Sequence, residues 1–266
     1  MEDRASSPCR KSRKSTVYII ASTNRTGSYL LCEGLEATQI AGRPTESLTA
    51  EFRRTLCDSL YGIEMSFSVS MRVMVEERTG ANGVFGAKIH WDQVEDIGPE
   101  SGYEGPPYVF LLEEFPGAHY IYLSREDTLA QAISLNIASQ TGEWWRATNV
   151  KNPFKQPVQP IYNPDEILRI EVELRRQCQA WEDFFRVETI TPLRMDYETL
   201  AAGYKSEVGR ALEFLCLDPT ATRTIPEPRL QRQTCELNKL WHDWAEPLRK
   251  TSLPPVLKPE RASVGI

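Results

Sequence analysis

Val17-Tyr18-Ile19-Ile20-Ala21-Ser22-Thr23-Asn24-Arg25-Thr26-Gly27-Ser28-Tyr29-Leu30-Leu31 runs from an apolar segment through a polar loop into a second apolar pattern. The first five residues suit a strand buried on both faces, and after Ser28 the spacing turns helical, with Leu31 and Leu35 one turn apart. At such a strand-loop-helix junction the unpaired N–H groups of the first helical turn point at the loop, and the helix dipole favours an anion there. Arg25 adds a fixed positive charge. An ordinary strand-to-helix turn capped by a serine carries the same signature, so the loop has to be read together with the rest of the chain.

The whole chain limits what that loop can serve. With 266 residues, 41% of them hydrophobic, it can bury a sizeable core. A net charge of −6 gives no general attraction to nucleic acid or to an anionic membrane, so an anionic ligand would need local groups such as Arg25. No apolar run approaches a membrane span, and Val17 to Ala21 is too short for a signal-peptide core, which predicts a cytoplasmic protein without membrane insertion. The six cysteines include no close pair and the three histidines lack ligand spacing, so neither a disulfide framework nor a metal site is expected. Cys32, Cys178 and Cys216 fall within amphipathic patterns and read as small buried hydrophobes.

Outward from the loop, residues 1–15 are polar and basic and read as a disordered tail. Helical stretches are expected over Leu48–Leu60 and Met65–Glu77, then a strand over Val84–His90 with Lys88 and His90 on one face, then a Gly/Pro-rich loop over Gly98–Pro107. His119–Leu123 is a further strand, and Asp127 can cap a helix reaching Thr141. The four prolines between Lys151 and Pro164 predict a surface segment, a candidate lid. Asn163-Pro164-Asp165-Glu166 carries a helix start with a capping-box glutamate, and Ile167, Ile170, Leu174, Cys178, Trp181 and Phe185 mark its buried stripe. Val187–Met195 reads as another strand, Asp196 as a cap, Lys205–Cys216 and Arg229–Leu248 as helices, and residues 251–266 as a loose tail.

Strands alternating with helices predict an α/β fold, a single P-loop-like domain whose mostly parallel central sheet is flanked by helices, with ligands beyond the carboxyl ends of the strands. Two such ends carry arginines, Arg25 and Arg125. Two cationic sites on one sheet edge suit a ligand with two separate anionic groups, such as a nucleotide with phosphates at both ends of its ribose. A Walker loop is excluded: Ala21 stands where its first glycine belongs and Tyr29 follows Ser28, with no lysine for the terminal phosphates, and the strand at 119–123 ends in Ser124-Arg125 without an aspartate for Mg²⁺.

Four blocks together resemble the bacterial trehalose 2-sulfotransferase family: Ala21 to Leu31, Gly42-Arg43-Pro44-Thr45-Glu46, Asn82 to Gln93, and Arg125 through Gln131-Ala132-Ile133-Ser134 to Trp144. The resemblance spans about Thr16 to Trp244 and implies a sulfotransferase domain over 16–250, with 3′-phosphoadenosine 5′-phosphosulfate as sulfuryl donor, no metal, a carbohydrate or similar hydroxylated small molecule as acceptor, and a homodimer. It implies that Ser22, Asn24, Arg25, Thr26, Gly27 and Ser28 form the phosphosulfate loop, Gly27 by permitting close backbone approach. Arg125 and Ser134 would take the 3′-phosphate, and Glu46 would be the general base. Arg43, Lys88, His90 and Trp91 would line the acceptor side, and Arg232-Gln233 matches a further donor segment. Arg43, Tyr29 and Glu126 depart from the family pattern, the first two on the acceptor side. A P-loop-like small-molecule kinase and a catalytically silent nucleotide-binding protein are the competing readings.

Overall fold

In the computed structural model, which describes residues 16–144, 158–228 and 236–252, the opening stretch forms strand β1 (Thr16–Ser22) and helix α1 (Ser28–Ala37). There follow α2 (Ala50–Tyr61), α3 (Phe67–Arg78), β2 (Val84–His90), α4 (Trp91–Ser101), α5 (Val109–Glu114), β3 (His119–Ser124), α6 (Thr128–Thr141), α7 (Pro164–Val187), β4 (Leu193–Asp196), α8 (Tyr197–Ala202), α9 (Tyr204–Phe214), a 3-10 turn (Pro219–Thr224) and α10 (Glu236–Ser252). The sheet is parallel throughout, in the order β2-β1-β3-β4. The chain leaves β1 for β2 on one side and returns past it to β3 on the other. Topology therefore puts the loop after β1 at the switch point of the sheet, where such folds open a crevice.

Strand alternation sorts the side chains into two layers. Ile19, Ala21, Phe85, Ala87, Ile89, Tyr120 and Tyr122 face the side covered by α3, α4, α5 and α7, whereas Tyr18, Ile20, Val84, Ile121 and Leu123 face α1, α8 and α9. Lys88 and His90 share the parity of Val84, so the fold turns both toward α1 despite their burial. A third cluster joins α6, α7 and α10 through Leu129, Ile133, Ile167, Leu174 and Trp241. Tyr18 crosses the neighbouring strand to donate to the Ala41 carbonyl at 2.7 Å, and only a glycine at 86 leaves room, since a Cβ there would lie 2.3 Å from the Tyr18 ring.

Several expectations are corrected. α4 continues through Gly98 and Pro99, so the loop begins only at Gly102; Pro99 is tolerated near the end of a helix that starts at Trp91. The strand expected over Val187–Met195 is confined to Leu193–Asp196, because the α7 stripe extends its helix to Val187 and Pro192 has no amide to pair. Asn163 caps α7 as expected, accepting from the Glu166 amide, but the Glu166 carboxylate is held by Arg169. Cys216 is exposed, with φ 56, since α9 has already ended at Phe214; Cys32 is buried and Cys178 half-buried. The tails at 1–15 and 253–266, most of the proline-rich segment and Arg232-Gln233 lie outside the described residues.

Candidate active site

The loop after β1 uses most of its side chains on the protein itself. Ser22, fully buried, places its Oγ 2.9 Å from His90 Nδ1, and its carbonyl accepts from Trp181 Nε1 at 2.8 Å. Thr26 Oγ1 donates to the Thr23 carbonyl, Asn24 Nδ2 donates to Asp92 at 2.7 Å, and Gln131 Nε2 on α6 donates to both Thr23 Oγ1 and the Asn24 carbonyl. With Ser22, Asn24 and Thr26 committed inside the protein, it is the backbone at the start of α1 that the loop offers to a ligand. Ser28, itself buried, opens α1, which no side chain caps. Gly27, at φ 76, is needed for a reason other than ligand approach: a Cβ there would fall 2.5 Å from the ring of Tyr197, the first residue of α8.

Arg25 itself is left-handed, with φ 66, a conformation costing a non-glycine residue on the order of 1 kcal/mol. Its side chain reaches α6, where Nε donates to Ser134 Oγ at 3.0 Å, and Nη1 donates to the Trp144 carbonyl. Arg125, from the end of β3, donates to the Arg25 carbonyl at 3.3 Å, stacks over Tyr197 at 4.8 Å and has Glu198 3.9 Å away. The arginines that the sequence suggests as two separate cationic sites are thus neighbours. Burial, and then the charge of Arg125, lower the Arg25 pKa to about 10, which leaves it cationic at neutral pH. Two like charges held together in part-buried surroundings form a cradle that an anion would relieve.

Across the β1–β2 edge lies a different arrangement. Glu46 follows a turn whose Thr45 carbonyl accepts from the Lys88 amide at 2.8 Å, so the loop is laid along the outer edge of β2. Four groups converge on its carboxylate: Lys88 Nζ and the Tyr29 hydroxyl (3.0 Å) on Oε1, Gln93 Nε2 on Oε2 at 2.8 Å, and His90 Nε2 at 3.5 Å from Oε1. Burial alone would raise its pKa, but the bond from His90 and the charge of Lys88 outweigh burial and hold it well below the usual carboxylate range. His90 is shifted down by burial and by Lys88, so it is neutral at pH 7. With Nε2 carrying the proton toward Glu46, Nδ1 accepts from the Ser22 hydroxyl, so Ser22, His90 and Glu46 form a continuous chain from the loop to the carboxylate, with Lys88 Nζ 3.3 Å from Nε2 beside it.

Two candidates fall elsewhere. Trp91 is core: alternation turns it away from His90 to the opposite face, where it packs 4.9 Å from Trp181 and donates to Glu95. Arg43 is exposed and not among the partners of Glu46; its carbonyl accepts from Arg78, whose pKa its charge helps to lower. Four residues that sequence reasoning passes over complete the site. Asp92 and Gln93 sit in the first turn of α4, where Gln93 also accepts from the His90 amide; a histidine in place of Ser or Thr hides this capping pattern. Gln131 precedes Ser134 by one turn on the same face of α6, a spacing that could have revealed it. Tyr197 has no local signal. Among the described residues no group of three His, Cys, Asp or Glu is arranged to hold a metal ion.

A family model described as Stf0 sulphotransferase matches residues 17–250. A protein from Mycolicibacterium smegmatis named trehalose 2-sulfotransferase is 27% identical over 259 residues, covering 85% of this chain and 92% of its own. One of the same name from Mycobacterium tuberculosis is 26% identical over 261 residues, covering 87% and 95%. Among solved structures, the sulfotransferase domain of the Synechococcus PCC 7002 olefin synthase aligns over 94% of each chain at 16% identity and a TM-score of 0.41, too loosely to bear on the site.

Proposed function

The chain belongs to the Stf0 sulphotransferase family, and on that premise we propose that it moves a sulfuryl group from 3′-phosphoadenosine 5′-phosphosulfate to a hydroxyl of a carbohydrate acceptor such as trehalose. The observation that carries the reading is the joining of Arg25, Arg125 and Ser134 at the switch point, one loop away from a carboxylate held by four donors. Arg25, the backbone at the start of α1, Arg125 and Ser134 would hold the donor's phosphate groups; the part-buried pair of like charges fits a polyanion and no single neutral ligand.

The chemistry asked of the protein is small. The acceptor oxygen bonds to sulfur, the bond from sulfur to the bridging phosphate oxygen breaks, the hydroxyl proton goes to Glu46, and adenosine 3′,5′-bisphosphate leaves. Glu46 is ionised at any working pH, so it is always in the accepting form. A carboxylate with so depressed a pKa is nevertheless a weak base, and it gains basicity only as its donors let go. Orientation and cationic stabilisation of the departing oxygen would carry most of the acceleration.

Adenosine 3′,5′-bisphosphate should raise the melting temperature by several degrees at saturating concentration, and ATP with Mg²⁺ should not. Equal stabilisation by ATP, with none from the bisphosphate, overturns the donor assignment. Incubation with the phosphosulfate donor and a panel of sugars, read by a sulfuryl mass shift, identifies the acceptor.

A further inference from the structure

Tyr29 stands beside the carboxylate with part of its ring in solvent. It is the second residue of α1, 42% exposed, with its hydroxyl 3.0 Å from Glu46 Oε1 and its ring beneath Lys88 Nζ, 3.6 Å from the centroid. Lys88 is fully buried. We propose that Tyr29 is a specificity-determining gate: its phenol occupies the place of the acceptor hydroxyl on Glu46, its ring covers the Lys88 ammonium, and an acceptor with two neighbouring hydroxyls displaces it by replacing both contacts. The inference rests on the sulfotransferase reading for what the acceptor is, but not for what Tyr29 covers.

The contact between Tyr29 and Glu46 has the chemistry that proton transfer from an acceptor requires, an O–H donated to Oε1. On Oε1, which Lys88 and the phenol both hold, an acceptor hydroxyl can be received only where the phenol has left. The phenol cannot pass its own proton on readily, because burial and the neighbouring carboxylate push its pKa up. Displacing the ring has two consequences. Oε1 loses one donor, which raises the basicity of the carboxylate, and Lys88 loses a cation–π partner and becomes able to donate to a ligand oxygen. A vicinal diol restores both, with one hydroxyl donating to Glu46 and its neighbour accepting from Lys88. A lone alcohol restores only the first. The gate thus ties exposure of the cation to arrival of the right acceptor.

Two measurements test this. With the best sugar acceptor from a panel, Tyr29→Phe, which keeps the ring and removes the competing hydroxyl, should lower the acceptor KM about tenfold, the size of one hydrogen bond to a charged group, with kcat changed less than twofold. Tyr29→Ser should narrow the preference for vicinal diols over lone alcohols and raise acceptor-independent donor hydrolysis about tenfold. A KM that stays put or rises in Tyr29→Phe, or a kcat that falls, overturns the gate and makes Tyr29 a binding or relay residue. The second measurement needs no turnover: labelling of the folded protein with acetic anhydride, read by mass spectrometry at Lys88, should be at least tenfold faster in Tyr29→Ser than in the unmodified chain. Equal labelling overturns the cover. If the unmodified chain shows no turnover with the phosphosulfate donor, the sulfotransferase reading fails, and the labelling still decides whether Tyr29 shields Lys88.

Discussion

The two halves of the site solve opposite electrostatic problems. Around Arg25 and Arg125 the fold brings like charges together, with Glu198 3.9 Å from Arg125, and burial first, then the charge of Arg125, lower the Arg25 pKa to about 10. Around Glu46 it gathers unlike ones, a lysine and three neutral donors on a single carboxylate. The first half gains from a ligand that brings negative charge. The second is already satisfied and has to be opened before it can act. A binding site can be recognised from charge that has been brought together against its own repulsion; a compensated cluster resembles a structural ion pair until something displaces one of its members.

The comparison breaks most visibly at Arg25. Arg25→Ala should abolish the thermal stabilisation by adenosine 3′,5′-bisphosphate, weakening binding by roughly a thousandfold through loss of a part-buried, charge-assisted contact. Isothermal titration measures it. Retention of affinity within tenfold would mean that the cationic half does not hold the donor. Glu46→Gln separates the halves in the other direction: turnover should fall about 10²- to 10⁴-fold, the usual contribution of a positioned base, while bisphosphate affinity stays within twofold. If affinity falls with turnover, the halves are one site and the division fails.

Gly27 sits on the seam, and its substitution should be felt in stability first. An alanine there must adopt φ 76 and push the Tyr197 ring from 2.5 Å, a combined cost of roughly 2–4 kcal/mol. Chemical denaturation should register that loss. Adding Tyr197→Ser should recover the overpacking share and leave the backbone share, about 1 kcal/mol. Full recovery would show that the conformation itself is free of strain.

The arginine half is the more legible in the sequence, and the reason is geometric. Arg25 and Arg125 each follow the end of a strand of the same sheet, and strand ends can be read from hydrophobic runs, so the parallel pairing of β1 and β3 brings them to one edge. Lys88 and His90 are equally legible as a pair on one strand face. The carboxylate half depends on loops and helix starts that no periodicity marks. Glu46 is one acidic residue among many and is singled out only by its family spacing; Gln93 acts from the first turn of a helix whose cap, His90, is neither Ser nor Thr. Trp91 escapes a sequence reading because strand alternation continues one residue past the strand and turns it into the core. Tyr197 lies 170 residues from Gly27 along the chain, and only the packed fold brings the two together.

The smallest effect concerns pH, and it probes the compensated half alone. His90 is buried, and its folded pKa lies below its ordinary 6.5. As pH falls below 6.5 the unfolded chain takes up a proton that the folded chain refuses, so stability must decline with a slope of at most about 1.4 kcal/mol per pH unit, until the folded value is reached. Glu46 also favours neutral pH, over a lower window: its folded pKa is depressed, so its contribution is complete above the ordinary carboxylate range and is lost as pH falls below that range toward the folded value. The two groups therefore act in succession on acidification, His90 first. Denaturation free energies measured from about pH 8 to about pH 3 should show the His90 slope in the unmodified chain and lose it in His90→Gln, while the lower limb persists until Glu46→Gln removes its share. Arg25→Ala should leave both limbs in place, since its guanidinium stays charged throughout this range. A change in the upper limb on Arg25→Ala would mean that the loop transmits charge through Ser22 to His90, and the two halves would then have to be treated as a single titrating unit.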